Sequence, residues 1–280
     1  MKSLLAITSF LILLAASLSA AERFPKLDDT DWGWWRGPNH NGIAAASAQP
    51  PLTWDDNTNI RWQAEIPGRG HSSPTVVGDR VFLTTANEAK QTQHVLCFDR
   101  STGDVLWNKE IYQGNFDHNN KKNSFASSSV SCDGQQIYTS FFRDKKILTV
   151  ALTLKGKLVW EHVYGGFASH QGFGASPLLY KRMVILAADN KADGGGLLTA
   201  VDRQNGEILW ETPRPKCPNY VSPTIYHLNG RDELLMAGCE IIASYNPDTG
   251  KPNWEYDGTT EEVVGNVATD GKYIFASGGY

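Results

Sequence analysis

A tryptophan that returns at nearly regular intervals is the feature that most constrains the fold of this chain of 280 residues. Each copy follows a turn that contains glycine, and consecutive copies lie about 50 residues apart. A repeat of this length is typical of solenoids and propellers, in which one supersecondary unit stacks against copies of itself. The copies are Trp107, Trp160, Trp210 and Trp254, and Trp62 precedes them.

Each repeat predicts two β-hairpins. The segment 72–83 holds two short apolar runs around Gly78-Asp79, a turn that favours positive φ. A second hairpin follows with a turn from Asp99 to Gly103, in which the aspartate can bond the backbone and the glycine takes the left-handed position. Its last strand carries the tryptophan. Four antiparallel strands per repeat predict one propeller blade, with the indole filling the space between neighbouring blades.

The repeats do not add up to a closed ring. Four are complete, and a fifth begins at Gly265. Residues 60–65 match the tryptophan strand without hairpins before them, so we expect this orphan strand to complete the last blade. The sequence predicts an all-β propeller of four-stranded antiparallel blades, with about four and a half blades present, as a fragment of a six- to eight-bladed ring that continues after Tyr280. A small self-closed propeller is the alternative.

The first 21 residues predict a secretory signal peptide. Lys2 supplies a positive charge, residues 4–18 are almost entirely apolar, and small residues follow at 19–21. A membrane anchor is the alternative, although the apolar run is short for a span. We therefore expect export to the periplasm or cell exterior, with no transmembrane segment after cleavage. Residues 22–59 would form an N-terminal extension, and residues 60–280 the propeller repeats.

Export would place the four cysteines in an oxidising compartment. Cys97, Cys132, Cys217 and Cys239 allow three complete pairings, and their spacing matches no zinc motif. Cys97 lies within an apolar strand and is expected to be a buried small hydrophobe. The formal net charge of −4 gives no reason to expect nucleic-acid binding.

The repeats resemble the pyrroloquinoline-quinone (PQQ) type, whose signature is Ala-x-Asp-x-x-Thr-Gly-x-x-x-Trp. The segment 200–210 fits it best, and 98–107 is nearly as close. The segment 34–43, which begins Trp34-Trp35-Arg36, resembles the opening of exported bacterial PQQ-like repeat proteins. The resemblance covers residues 31–280. Such repeats build quinoprotein alcohol dehydrogenases and also the non-enzymatic propeller lipoprotein of the outer-membrane β-barrel assembly machinery, so the resemblance implies a fold and leaves the activity open.

The candidate binding residues lie in loops. On a propeller, the loops that lead into the innermost strands and those that join the two hairpins share one face, around the central channel. Convergence of their histidines and cations there would form a polar cup, whereas ordinary solvated loops are the alternative. The sequence identifies no catalytic residue and no metal site. The candidates are Arg69, His71, His118, Lys121, His170, Gln171, Asn219 and Tyr220.

A PQQ cofactor would place strong demands on this face. The quinone carries three carboxylates and needs cations, and the resemblance implies an adjacent cysteine pair, a calcium ion and an aspartate base in the alcohol dehydrogenases. No two cysteines are adjacent here. Residues 189–193 carry oxygen ligands but lack the glycine and terminal glutamate of a recognised calcium loop. The available cations are Arg69, Lys121, Lys122, Arg143 and Lys191.

These observations favour an exported binding or scaffold module for a protein or cell-envelope partner. The alternative is a PQQ-dependent dehydrogenase that also uses calcium, or a degenerate relative that still binds the quinone. A different enzyme that uses the mouth of the channel is a third interpretation.

Overall fold

The computed structural model describes residues 27–116, 120–164 and 166–279. Within these ranges the chain forms strands and turns and no helix. The predicted signal peptide (1–21) and the candidate residue His118 lie outside the described residues. The strands are β1 Thr75–Val77, β2 Arg80–Asn87, β3 Thr92–Asp99, β4 Val105–Gln113, β5 Ser131–Cys132, β6 Gln136–Arg143, β7 Lys146–Thr153, β8 Leu158–Tyr164, β9 Leu178–Tyr180, β10 Met183–Ala187, β11 Gly196–Asp202, β12 Ile208–Arg214, β13 Thr224–Leu228, β14 Arg231–Gly238, β15 Ile241–Tyr245, β16 Pro252–Asp257, β17 Ala268–Thr269 and β18 Ile274–Phe275.

Four sheets of four strands follow one another along the chain. Each is an antiparallel meander: β1 to β4, β5 to β8, β9 to β12 and β13 to β16. We call these sheets blades 1 to 4, and the pair β17–β18 blade 5. The blades form an open arc within the described residues. The predicted all-β propeller fold with four-stranded antiparallel blades is confirmed.

The core lies between the blades. Strand β7 is buried at six of its eight positions, because neighbouring blades cover both of its faces. The outer strand β8 of the same blade has only two buried positions.

The turns of the hairpins have the hydrogen bonds that the sequence predicted. The Asp99 Oδ1 accepts the N–H groups of Ser101 (2.8 Å) and Thr102 (3.0 Å), and Gly103 has φ of +78°.

Four of the five repeated tryptophans donate a hydrogen bond to the blade that follows them. The Trp160 indole N–H donates to the Arg203 carbonyl of blade 3 at 2.9 Å, and its ring lies against Gly206. A Cβ built on Gly206 would lie 2.9 Å from the ring, so the turn needs glycine for the close approach as well as for its φ of +75°. The equivalent acceptors are Arg100 for Trp62, Leu154 for Trp107 and Pro247 for Trp210. Trp254 instead donates to Glu233 of its own blade at 2.7 Å.

The inner ends of the blades are joined by serines. A backbone N–H at the start of one inner strand donates to a serine hydroxyl of the next blade, and this bond recurs along the arc. Its members are Ser73 N–H to Ser129 Oγ (2.9 Å), Ser129 N–H to Ser176 Oγ (3.0 Å) and Ser176 N–H to Ser222 Oγ (2.9 Å). The buried amides are thereby satisfied, and the blades keep a fixed spacing around the channel.

The N-terminal segment 31–40 crosses the inner side of the arc and touches several blades. Trp32 forms an antiparallel bridge with Val76 of blade 1, and the Gly33 carbonyl accepts the Cys132 N–H of blade 2 at 2.7 Å. The Trp35 indole donates to Asn266, just before blade 5, at 2.9 Å. Farther along, the Tyr226 hydroxyl of blade 4 donates to the His40 carbonyl at 3.2 Å. This segment therefore ties the blades together from inside.

Replacing Trp160 by alanine should lower the free energy of unfolding by about 3–5 kcal/mol, because the buried indole leaves a cavity between two blades. Urea unfolding followed by circular dichroism measures the change. The matched control is Trp54→Ala at a ring that is 67% exposed, which should change stability by less than about 0.5 kcal/mol. Equal midpoints for both variants would contradict the packing role.

Two alanine variants separate the effect on stability of the close indole–glycine contact from the effect of backbone strain. Gly206 and Gly271 both have positive φ, but a Cβ on Gly271 would meet nothing within 4 Å. Both variants incur the left-handed strain, and Gly206→Ala should lose about 1–3 kcal/mol more from overpacking against Trp160. Thermal unfolding compares the two. A Gly206→Ala variant as stable as Gly271→Ala would show that the ring moves away freely.

The stability contributed by the N-terminal segment should depend on pH through His40, whose ring stacks on Trp34. Burial lowers the pKa of His40 to about 4, and a hydrogen bond with the Trp35 backbone opposes this only partly. The unfolded histidine gains its proton near pH 6.5, so folding loses stability as the pH falls from 6.5 towards 4, by about 1–3 kcal/mol. Urea unfolding at pH 7 and pH 4.5 should show a smaller loss of stability for His40→Asn, because asparagine does not titrate. Asparagine is chosen because it tolerates the positive φ of this position. Identical pH dependence in both proteins would refute the assignment.

Candidate functional site

A cavity of about 450 Å³ lies on the face of the arc where loops lead into the innermost strands. Three kinds of residue line it. The connecting loops contribute His71, Asn120, Lys122, Asn123, Ser127, Gln171, Gly174, Tyr220, Glu262 and Val264, and the starts of the inner strands contribute Ser129, Ser176, Ser222 and Asn266. Trp35 joins them from the N-terminal segment, bonded to Asn266. The cavity is therefore built by every described blade boundary together with the segment inside the arc.

Three of the sequence-predicted residues line this cavity: His71, Gln171 and Tyr220. His170 lies at its edge, with Nε2 3.6 Å from Glu262 Oε1 and 3.1 Å from the Gln171 amide nitrogen. The Asn123 side chain donates to the Gln171 carbonyl at 2.6 Å, which joins two neighbouring loops.

The other predicted residues have different partners. The Arg69 guanidinium donates to the Lys121 carbonyl at 2.9 Å and lies 3.9 Å from Glu88, and Arg69 is not among the lining residues. Asn219 is buried and donates to Asp189 (2.9 Å) and to the Ala237 carbonyl (2.7 Å). It positions the loop that carries Tyr220.

This loop is held by a buried polar network and a disulfide. Arg214 donates to both carboxylate oxygens of Asp189 at 2.8–3.0 Å, and to the Tyr245 hydroxyl at 2.8 Å. Burial disfavours the charged guanidinium, but Asp189 and Tyr245 outweigh it and raise the pKa of Arg214. Asn219 joins this network through Asp189, and Cys217, two residues earlier, is bonded to Cys239. Together these contacts hold the loop that carries Tyr220 into the cavity.

The disulfide resolves one of the open questions of the sequence. Cys217 pairs with Cys239, while Cys97 and Cys132 are free and buried, as expected for Cys97. Burial raises the pKa of both free thiols to about 12. Neither thiol is therefore a reactive group at neutral pH.

The inner wall of the cavity is the part that the sequence-based prediction missed. Ser129, Ser176 and Ser222 are each more than nine-tenths buried, and each Oγ accepts an N–H from the preceding blade. Within the described part of the chain, these hydroxyls donate no hydrogen bond to another residue. Alignment of the repeats could have revealed this wall, since Ser73, these serines and Asn266 share one repeat position.

The charge of the lining is balanced. Lys122 and Glu262 are its charged side chains among the described residues, accompanied by His71. PQQ carries three carboxylates, and desolvating them against one ammonium and one carboxylate would be unfavourable. The buried Cys217–Cys239 bridge joins residues that are 22 apart in sequence, in contrast to an adjacent pair. The residues of this cavity do not fit the quinone.

The loop 189–193 provides no cation site either. Both carboxylate oxygens of Asp189 are bonded to Arg214, and Asp193 pairs with Lys216 at 2.8 Å. Across the described ranges, no three His, Cys, Asp or Glu side chains are grouped closely enough to hold a metal ion. Those ranges also hold no helix long and apolar enough to cross a membrane.

Known proteins resemble the chain in sequence and in fold. A polyvinylalcohol dehydrogenase from a Pseudomonas species is 27% identical over 298 aligned positions, which cover 90% of this chain and 43% of that protein. A quinoprotein ethanol dehydrogenase from Pseudomonas putida is 25% identical over 203 positions, covering 69% and 28%. The chain thus spans less than half the length of these relatives. The quinohemoprotein alcohol dehydrogenase of Comamonas testosteroni shares the fold, with a TM-score of 0.52 at 17% identity over 73% of this chain and 39% of that one.

The family described as outer membrane protein assembly factor BamB matches residues 23–167 and 91–280, which together span nearly the whole sequence. The match agrees with the four-stranded blades, the indole contacts between them and the PQQ-type turns. The chain belongs to this family of PQQ-repeat β-propellers.

Proposed function

We propose that this chain is an exported binding module whose recognition site is the cavity at the mouth of the channel, and that its partner is a protein or another component of the cell envelope. The observation that carries the proposal is the lining itself. The lining combines three buried serine hydroxyls with balanced charge. A lining of this kind binds its ligand by hydrogen bonding. The match to the assembly-factor family supports a binding role.

The rigidity of the site supports the same function. The serines are fixed by blade-to-blade hydrogen bonds, and Tyr220 lies on a loop anchored by Asn219 and a disulfide. Groups held in this way lose little conformational entropy when a ligand binds. The cavity therefore has the preorganisation of a recognition site.

We further propose that residues 1–21 direct export to the periplasm or cell exterior, and that residues 22–59 precede the repeat region 60–280. The disulfide between Cys217 and Cys239 supports an oxidising compartment. The segment 31–40 within the extension contacts blades from inside and supplies Trp35 to the cavity. This part of the extension is thus part of the binding site.

A second candidate is a PQQ-dependent dehydrogenase. The observation that favours it is the similarity to two proteins named as alcohol-oxidising dehydrogenases, at 27% and 25% identity. Bound quinone would supply two-electron oxidation of an alcohol. The single lysine of the described lining and its glutamate argue against the candidate, because they offer a tricarboxylate no net positive charge.

Calorimetric titration of the purified protein with PQQ, with and without Ca²⁺, distinguishes the two functions, together with dye-coupled oxidation of ethanol. We expect no saturable heat and no turnover, because the described lining offers one lysine, which a glutamate balances, to three carboxylates. The control is Glu262→Gln, which removes the anionic group without changing its shape. Saturable micromolar binding to the unaltered protein, lost in Lys122→Gln, would overturn the binding-module proposal in favour of the quinoprotein.

A further inference from the structure

The unused hydrogen-bonding groups on the inner wall of the cavity are donors. Ser129, Ser176 and Ser222 each have an oxygen lone pair occupied by an N–H of the preceding blade. The hydroxyl hydrogen of each is the group left without a partner among the described residues. All three side chains are more than nine-tenths buried, where an unmade hydrogen bond is unfavourable. A ligand atom placed against this wall must accept hydrogen bonds.

Nearer the connecting loops, the described lining holds unused acceptors as well as the Lys122 ammonium. Glu262 offers its carboxylate, with the His170 Nε2 3.6 Å from its Oε1, and Gln171 offers its side-chain carbonyl. Asn123 and Asn266 are bonded at both their amide nitrogen and oxygen within the protein. A ligand can therefore donate hydrogen bonds on this side while it accepts them at the inner wall.

The balanced charge of the lining favours a neutral ligand. An ion of either sign would be attracted by one member of the pair Lys122 and Glu262 and repelled by the other. It would still lose its hydration on entering a cavity bounded by buried neutral hydroxyls. A neutral polar molecule loses less and can satisfy both sets of groups.

Two aromatic side chains, Trp35 and Tyr220, also line the cavity. The Trp35 indole is bonded to Asn266 at 2.9 Å and the Tyr220 hydroxyl accepts from Ser169 at 3.1 Å, so both rings have fixed orientations. Aromatic rings provide a broad apolar surface beside a polar edge. Sugar rings have the matching character, with C–H faces and hydroxyl edges.

We propose that this cavity binds a neutral polyhydroxylated ligand of about one or two sugar units, within the roughly 300–1,000 Å³ typical of small-molecule sites. Each ligand hydroxyl can accept from a serine of the inner wall and donate towards Glu262 or Gln171. The inference rests on the proposed function, because it names the chemistry of the ligand that the binding module recognises.

The experiment uses three sugars of nearly the same shape and different charge, together with a longer neutral one. Glucose, glucuronate, glucosamine and maltose are titrated into the full chain and followed by calorimetry and saturation-transfer NMR. We expect saturable binding of glucose and maltose. Glucuronate and glucosamine should bind at least about tenfold more weakly, because each places a charge in a balanced site.

Two serine variants separate the inner wall from the general stability of the blades. Ser176 and Ser131 both form hydrogen bonds between blades 2 and 3, but only Ser176 lines the cavity. Ser176→Ala should weaken maltose binding at least about fivefold, and Ser131→Ala should leave it unchanged, with thermal unfolding used to confirm that both are folded. Glu262→Gln serves as a second cavity variant and should reduce the discrimination against glucuronate.

Each outcome is decisive. Glucuronate that binds as tightly as glucose, or equal effects of Ser176→Ala and Ser131→Ala, would overturn the proposal. Absence of sugar binding together with binding of acetyl-trialanine amide would show that the ligand is a peptide. If neither sugars nor PQQ bind, the sugar proposal fails while the binding-module function stands. Micromolar binding of PQQ would instead remove the function on which the proposal rests.

Discussion

The contact between an indole ring and the glycine turn of the next blade is the interaction on which this fold depends. The ring lies so close to the turn that a Cβ on Gly103, Gly206 or Gly250 would come within 3 Å of it. Each contact joins only nearest neighbours, so the stability of the arc is built from one blade boundary after another. The outer strands can remain half exposed because their tryptophans supply the burial that secures the boundary.

The inner side of the arc solves a different problem, since backbone amides that approach one another there must find acceptors. Serine hydroxyls of the following blade accept them, as Ser176 does for Ser129. Because a hydroxyl can accept and donate at once, the same bond that satisfies the amide leaves a donor facing the channel. The same serine hydroxyls therefore join the blades and supply the hydrogen-bond donors of the cavity. Trp35 extends it, because the segment that ties the blades from inside also contributes a ring to the lining.

Several cations near the connecting loops are paired with acceptors within the protein. Arg69 donates to the Lys121 carbonyl and lies near Glu88, and Arg214 is paired with the buried carboxylate of Asp189. Among the described residues, the charged side chains that remain in the lining are one lysine and one glutamate. The described lining therefore offers a tricarboxylate such as PQQ no net positive charge.

The sequence by itself determined the hairpins, the four-stranded blades and the role of the glycine turns, because these depend on residues close together in the chain. Alternation of side chains and positive φ at turns such as Gly103 are local properties that a repeat displays several times over. It also named His71, Gln171 and Tyr220 as candidates, and these three residues line one cavity. Only the tertiary structure decided that Asn219 anchors a loop, that Cys217 pairs with Cys239, and that Trp35 meets Asn266 across 231 positions. Such contacts arise where separate blades converge, and the local pattern of any one repeat contains no information about the distance between them.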